Sequence, residues 1–107
     1  MTLFDRAFVA NPLIAILRGL EPSRALDVAG ILVGAGFRII EVPMNSPNPL
    51  TSIERIASKF GDSVVVGAGT VLTENEVVAV HGAGGQIIVA PNMNSNVAAQ
   101  ASALDMK

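Results

Sequence analysis

An α/β fold on a parallel sheet is what the sequence predicts, and three observations predict it. Four short β-branched runs begin at Ile14, Ile39, Val64 and Ile87, about 25 residues apart. Helical apolar stripes fill the stretches between them. The chain is also unusually apolar, with 50% hydrophobic and only 15% charged residues in 107. A free-standing domain of this size has a large surface to cover with polar groups. Such a composition fits a chain buried on several sides, as part of a larger core or an assembly.

The runs are Ile14-Ala15-Ile16-Leu17, Ile39-Ile40-Glu41-Val42, Val64-Val65-Val66 and Ile87-Ile88-Val89. They are nearly continuous rather than alternating, as strands covered on both faces read. After the first, Ala25, Val28, Ala29, Leu32 and Val33 form one helical stripe, with Pro22 in its first turn and Gly34 or Gly36 at its end. After the second, Leu50, Ile53, Ile56, Ala57 and Phe60 form another, with Asn48 as cap, Pro49 at the start and Gly61 at the close. Thr73-Glu74-Asn75-Glu76 has the spacing of a capping box ahead of a third helix. Asn94 or Ser95 caps a fourth that carries Val97, Ala98, Ala101 and Leu104.

Strand and helix thus alternate four times, and parallel strands with right-handed crossovers follow. A doubly wound sheet would be complete near this length. A (βα)8 TIM barrel needs about 200 to 250 residues. On that count residues 1–107 are a single N-terminal half of a barrel, covering about its first four βα units. The apolar excess favours the half-barrel, whose interior another half would cover. No linker, low-complexity tract or second domain interrupts the chain.

Composition excludes several functions. The apolar content excludes disorder. With no Cys and one His, neither a disulfide framework nor a Cys/His zinc site is available, and a reducing compartment fits. A net charge of −2 offers no basic field for nucleic acid. Residues 77–104 carry no formal charge, but they are broken near Gly82–Gln86 and Pro91–Asn96, so no membrane span is expected. No secretory signal is visible, which makes the cytoplasm the expected location.

Sites in parallel α/β folds lie at the C-terminal ends of the strands. Those ends supply Arg18-Gly19, then Glu41 with Pro43-Met44-Asn45-Ser46-Pro47, then Gly67-Ala68-Gly69-Thr70, then Ala90-Pro91-Asn92. Glu41 lies inside an apolar strand, where burial of a carboxylate is costly and raises its pKa. It reads either as a proton shuttle or as half of an ion pair with Arg18 or Arg38. Arg18 reads as an anion-binding fork or as a solvated edge residue. Gly67–Thr70 reads as part of a phosphate-cradling loop or as a tight strand-to-helix turn, and it meets neither glycine-rich phosphate-loop spacing. Pro91-Asn92 reads as a turn. His81 falls in a helix away from this edge, and the four Met form no stripe.

Taken in order, these segments resemble the 2-keto-3-deoxy-6-phosphogluconate/6-phosphogalactonate aldolases. The match runs through Pro12–Gly19, Ala35–Phe37, Ile40–Pro47, Val66–Leu72 and Ile88–Asn92, from about Asn11 to the end. Ile-Leu-Arg-Gly and Pro-Met-Asn-Ser-Pro are more similar to the phosphogalactonate branch, because the phosphogluconate branch usually has an Arg in place of Asn45. The resemblance implies a class I aldolase on a (βα)8 barrel, commonly a homotrimer. A lysine would form a Schiff base with the substrate's 2-keto group, and the cleavage products would be pyruvate and glyceraldehyde 3-phosphate. It implies no metal or organic cofactor, since the lysine imine is the electron sink.

By the same resemblance Glu41 is the catalytic acid/base. Thr70 and Gly69 help hold the pyruvate-derived carboxylate, Arg18 contacts the substrate, and Asn45 and Pro91 shape the pocket. The family's lysine belongs to a sixth strand, and the only lysines here are Lys59 and Lys107. Neither is expected at a strand end, and the family's phosphate site after strands seven and eight also has no counterpart. Residues 1–107 are therefore expected to hold the acid/base half of a site without its nucleophile, as an inactive fragment of an aldolase. The alternatives are a non-catalytic half-barrel that associates with itself and another phosphate-using βα protein, such as an epimerase or synthase barrel.

Overall fold

The computed structural model describes all of Met1–Lys107. Four strands, β1 (Ile14–Ile16), β2 (Ile39–Pro43), β3 (Val65–Gly69) and β4 (Ile87–Ile88), lie side by side in that order, each parallel to its neighbour. Five helices accompany them: α1 (Leu3–Ala10), α2 (Ala25–Gly34), α3 (Pro49–Phe60), α4 (Glu74–Gly82) and α5 (Ser95–Ala103). α2 to α5 follow the four strands in turn, as the sequence predicts.

The pleat separates two faces. Ala15, Ile40, Val42, Val66 and Ala68 join the main core with Ala25 and Ala29 of α2, Ile53 and Ile56 of α3, and Val77 and Val80 of α4. The alternate residues Ile39, Val65 and Ile87 form a second cluster with Ala7, Leu3 and Phe4 of α1. That second face is buried along β2 and β3, where Ile39, Glu41 and Val65 are covered, and open along β1, with Ile14 39% and Ile16 58% exposed. Full burial contributes about 1.5–3 kcal/mol for a side chain such as Ile53 or Ile56, so the helix-covered face carries most of the stabilisation.

Local chemistry explains the helix ends. Thr73 and Glu76 form the predicted capping box: the Glu76 N–H donates to Thr73 Oγ1, and the Thr73 and Leu72 N–H groups donate to Glu76 Oε1. Asn94, rather than Ser95, caps α5, with Oδ1 accepting from the Asn96 and Val97 N–H groups. α2 ends at Gly34, and the chain then turns at Gly36 with φ +105°. Pro22 opens a short 3₁₀ turn, Pro22–Arg24, ahead of α2 rather than the α-helix itself.

Two further expectations are corrected, and one helix is new. β3 runs on through Gly67-Ala68-Gly69, so the glycine segment is strand and neither turn nor phosphate loop. It can extend because a Cβ at Gly67 would strike the Ile87 carbonyl, and only glycine lets β4 approach so closely. Asn48 makes no side-chain cap on α3 and instead takes a left-handed backbone, φ 41°. α1 was not anticipated, although Thr2 and Asp5 form a capping box that marks its start. Lys107 is exposed and, as expected, not at a strand's C-terminal end; its backbone pairs beside the start of β4. Its N–H donates to Gln86 O and its carbonyl accepts from the Ile88 N–H at 2.7 Å, along the free side of β4.

Candidate active site

Glu41 occupies the middle of β2, in register with Ile16 on one side and Gly67 on the other. It is 3% exposed, and its Oε2 has no hydrogen-bond partner. Burial pushes its pKa above the ordinary carboxylate value, and the Arg18 charge pulls part of the way back. Arg38, one candidate ion-pair partner, is engaged elsewhere. Its Nη1 donates to the carbonyls of Val33 and Phe37 at 3.1 and 2.8 Å, ahead of the start of β2.

The carboxyl packs against Gly69, the last residue of β3. A Cβ added there would overlap both carboxyl oxygens of Glu41. Thr70 follows at once with φ +54°, a left-handed backbone that a β-branched residue rarely adopts. Such strain persists only where the surroundings impose it, and it concentrates at functional sites. The Val71 N–H, donating to Val89 O at 3.2 Å, ties this bend to the segment after β4.

Arg18 is exposed and follows β1 by two residues. Its backbone is held from both sides. The Leu17 N–H donates to Glu41 O at 2.9 Å, and the Gly19 N–H donates to the Ser46 hydroxyl at 3.1 Å. Arg18 and Arg24 line a common recess with Ile16 and Leu20. Asn45 and Pro91 stand on the loops after β2 and β4, both exposed. Ser46 was not singled out by sequence reasoning, yet it is buried at 6% exposure. The only signal was its place inside Pro43-Met44-Asn45-Ser46-Pro47.

The strand ends thus bring together one buried carboxyl with a raised pKa, one guanidinium, a strained threonine and a glycine that makes room for the carboxyl. This set can hold a proton above the ordinary carboxylate range and attract an anion. Lys59 is exposed on α3 with Nζ 5.5 Å from the Phe60 ring centroid, and His81 is exposed in the last turn of α4. No helix is long and apolar enough to cross a membrane.

The family described as "Aldolase: KDPG and KHG aldolase" matches residues 5–107. The chain belongs to this family. It is 48% identical over 86 residues to the 2-dehydro-3-deoxy-6-phosphogalactonate aldolase of Escherichia coli, a match covering 80% of this chain and 42% of that protein. A structure described as native KDPGal superposes with a TM-score of 0.88 at 45% identity, covering 90% of this chain and 47% of the other. A KDPG aldolase from Legionella pneumophila, solved with pyruvate captured as a covalent carbinolamine intermediate, gives a TM-score of 0.79 at 28% identity, with 88% and 45% covered. The aldolase-family chain therefore spans a little under half the length of these relatives.

Proposed function

We propose that residues 1–107 form the first four βα units of a (βα)8 barrel and supply the acid/base half of a class I aldolase site. The substrate is a phosphorylated 2-keto-3-deoxy sugar acid of the galactonate type, which is cleaved to pyruvate and glyceraldehyde 3-phosphate. The observation that carries the reading is Glu41. It is a buried carboxyl with a raised pKa, packed on Gly69 at the strand-end edge.

In this scheme a lysine outside residues 1–107 condenses with the 2-keto carbon and water leaves. Glu41, as carboxylate, takes the proton of the C4 hydroxyl. The C4–O electrons form the aldehyde, the C3–C4 bond breaks, and its pair passes into the iminium to give an enamine. Protonated Glu41 then returns the proton to C3 of the enamine, and hydrolysis of the imine frees pyruvate. A raised pKa suits a group that must accept and return one proton. Thr70 and Gly69 hold the pyruvate-derived carboxylate and Arg18 contacts the substrate. Asn45 and Pro91 border the pocket, and the assembled enzyme is a homotrimer.

In the natural protein, Glu41→Gln should lower kcat for retro-aldol cleavage by about a hundredfold or more, with a smaller change in KM. An unchanged kcat overturns the role. The open face at Ile14 and Ile16 favours a second reading, in which the 107-residue chain pairs with itself through that face. A sedimenting dimer that Ile16→Asp dissociates supports it, and a monomer at all accessible concentrations rules it out.

A further inference from the structure

The loop after β2 contains one buried residue between exposed neighbours. Asn45 and Pro47 face solvent, whereas Ser46 is 6% exposed. Its hydroxyl accepts the Gly19 N–H, a contact that crosses 27 positions of sequence. Ser46 itself stands on fixed backbone. Its N–H donates to Pro43 O at 3.0 Å, and the Met44 N–H donates to Gly69 O at 2.9 Å. The turn that receives this anchor is also pinned at its far end by Leu20, which is buried in the main core. Gly19 has φ +81°, and a Cβ there would meet nothing within 4 Å. Glycine is thus needed at position 19 for its backbone angle rather than for space, and the hydrogen bond to Ser46 is what ties the turn to its neighbour.

We propose that Ser46 is a positioning residue: through the Gly19 N–H it clamps the β1 turn to the β2 turn and so fixes the backbone of Arg18 alongside β2. The functional meaning rests on the aldolase reading, but the clamp itself does not. Arg18 is held between the Leu17 N–H on Glu41 O and the Gly19 N–H on Ser46 Oγ. Arg18 is already exposed, so releasing the second tether loosens the backbone that carries it and lets its charge move relative to Glu41. Arg18 is also the charged group that opposes the effect of burial on the Glu41 carboxyl. A freed Arg18 therefore leaves a measurable trace on Glu41 without any substrate.

The test uses the isotopically labelled natural protein, without substrate, as wild type, Ser46→Ala, Ser46→Cys, Arg18→Gln and the Ser46→Ala/Arg18→Gln pair. The readouts are hydrogen exchange at the Gly19 amide and the carbon-13 titration of the Glu41 carboxyl, with thermal melts to confirm folding. Ser46→Ala should speed Gly19 exchange about tenfold and move the Glu41 midpoint upward. Arg18→Gln should raise the same midpoint, and the pair should rise no further than Arg18→Gln alone. Ser46→Cys keeps the size with a weaker acceptor and should fall between wild type and alanine; it replaces the alanine variant should that one not fold. A Glu41 midpoint unmoved by loss of the hydroxyl in a folded variant overturns the clamp, as does an additive shift in the pair. Because no substrate is present, that outcome would leave the aldolase reading standing. Absence of a lysine–pyruvate adduct in the natural protein would leave the clamp standing.

Discussion

The carboxyl of Glu41 on β2 rests against Gly69 on β3 so closely that any side chain at position 69 would occupy the space of both its oxygens. Two residues with separate sequence signals therefore form one device: glycine makes the room in which the acid is buried. Gly67, two residues earlier, faces the Ile87 carbonyl instead. The two glycines should then fail differently. Gly69→Ala meets the movable end of a side chain, so the fold should survive while Glu41 is displaced. In the natural protein, cleavage should fall about a hundredfold with little change in melting temperature. Gly67→Ala meets backbone and should cost about 2 kcal/mol or more in stability. Equal effects of both on stability would contradict this division, as chemical denaturation would show.

The buried carboxyl also sets a pH dependence. Burial raises the Glu41 pKa, so the folded state holds this proton more tightly than the unfolded state does. Stability from this group is then greatest in acid. It declines as pH rises from the ordinary carboxylate value through the raised folded one. Glu41→Gln removes the titration. The variant should gain stability over wild type as pH rises above the ordinary carboxylate value, with the gap widening until the raised folded value is passed. Melting curves across that range check the sign, and a gap that narrows with pH would contradict it.

Thr70 carries strain at φ +54° beside the carboxyl. Glycine accepts that angle at no steric cost, and the left-handed region costs other residues about 1–2 kcal/mol. Glycine's larger unfolded-state entropy offsets part of that gain. Thr70→Gly should therefore stabilise the fold by up to about 1 kcal/mol while weakening pyruvate capture in the natural protein. Loss of stability together with unchanged capture would remove Thr70 from the site.

Most of the fold was legible because its signals are local. The runs at Ile14, Ile39, Val64 and Ile87 are β-branched and continuous. The α2 and α3 stripes follow the helical period, and Thr73–Glu76 reads directly as a capping box. Glu41 stood out because a charge inside an apolar strand has few explanations. What was not legible depends on contacts distant in sequence. Gly67-Ala68-Gly69 has poor strand propensity, and its extension into β3 depends on the approach of Ile87. Ser46 is an ordinary loop serine until Gly19, from another turn, donates to it. α1 lies outside the strand–helix rhythm, and the Thr2–Asp5 spacing that starts it uses Asp where Glu or Gln is the commoner partner.

The central claim is that these residues are the acid/base half of a Schiff-base aldolase whose lysine lies outside them. Intact mass spectrometry of the natural protein after treatment with pyruvate and borohydride tests it most directly. The account predicts an irreversible pyruvate adduct on a chain about twice this length, with the modified lysine outside residues 1–107. An unmodified 11.0 kDa species would contradict it and would leave Glu41 without the chemistry proposed for it.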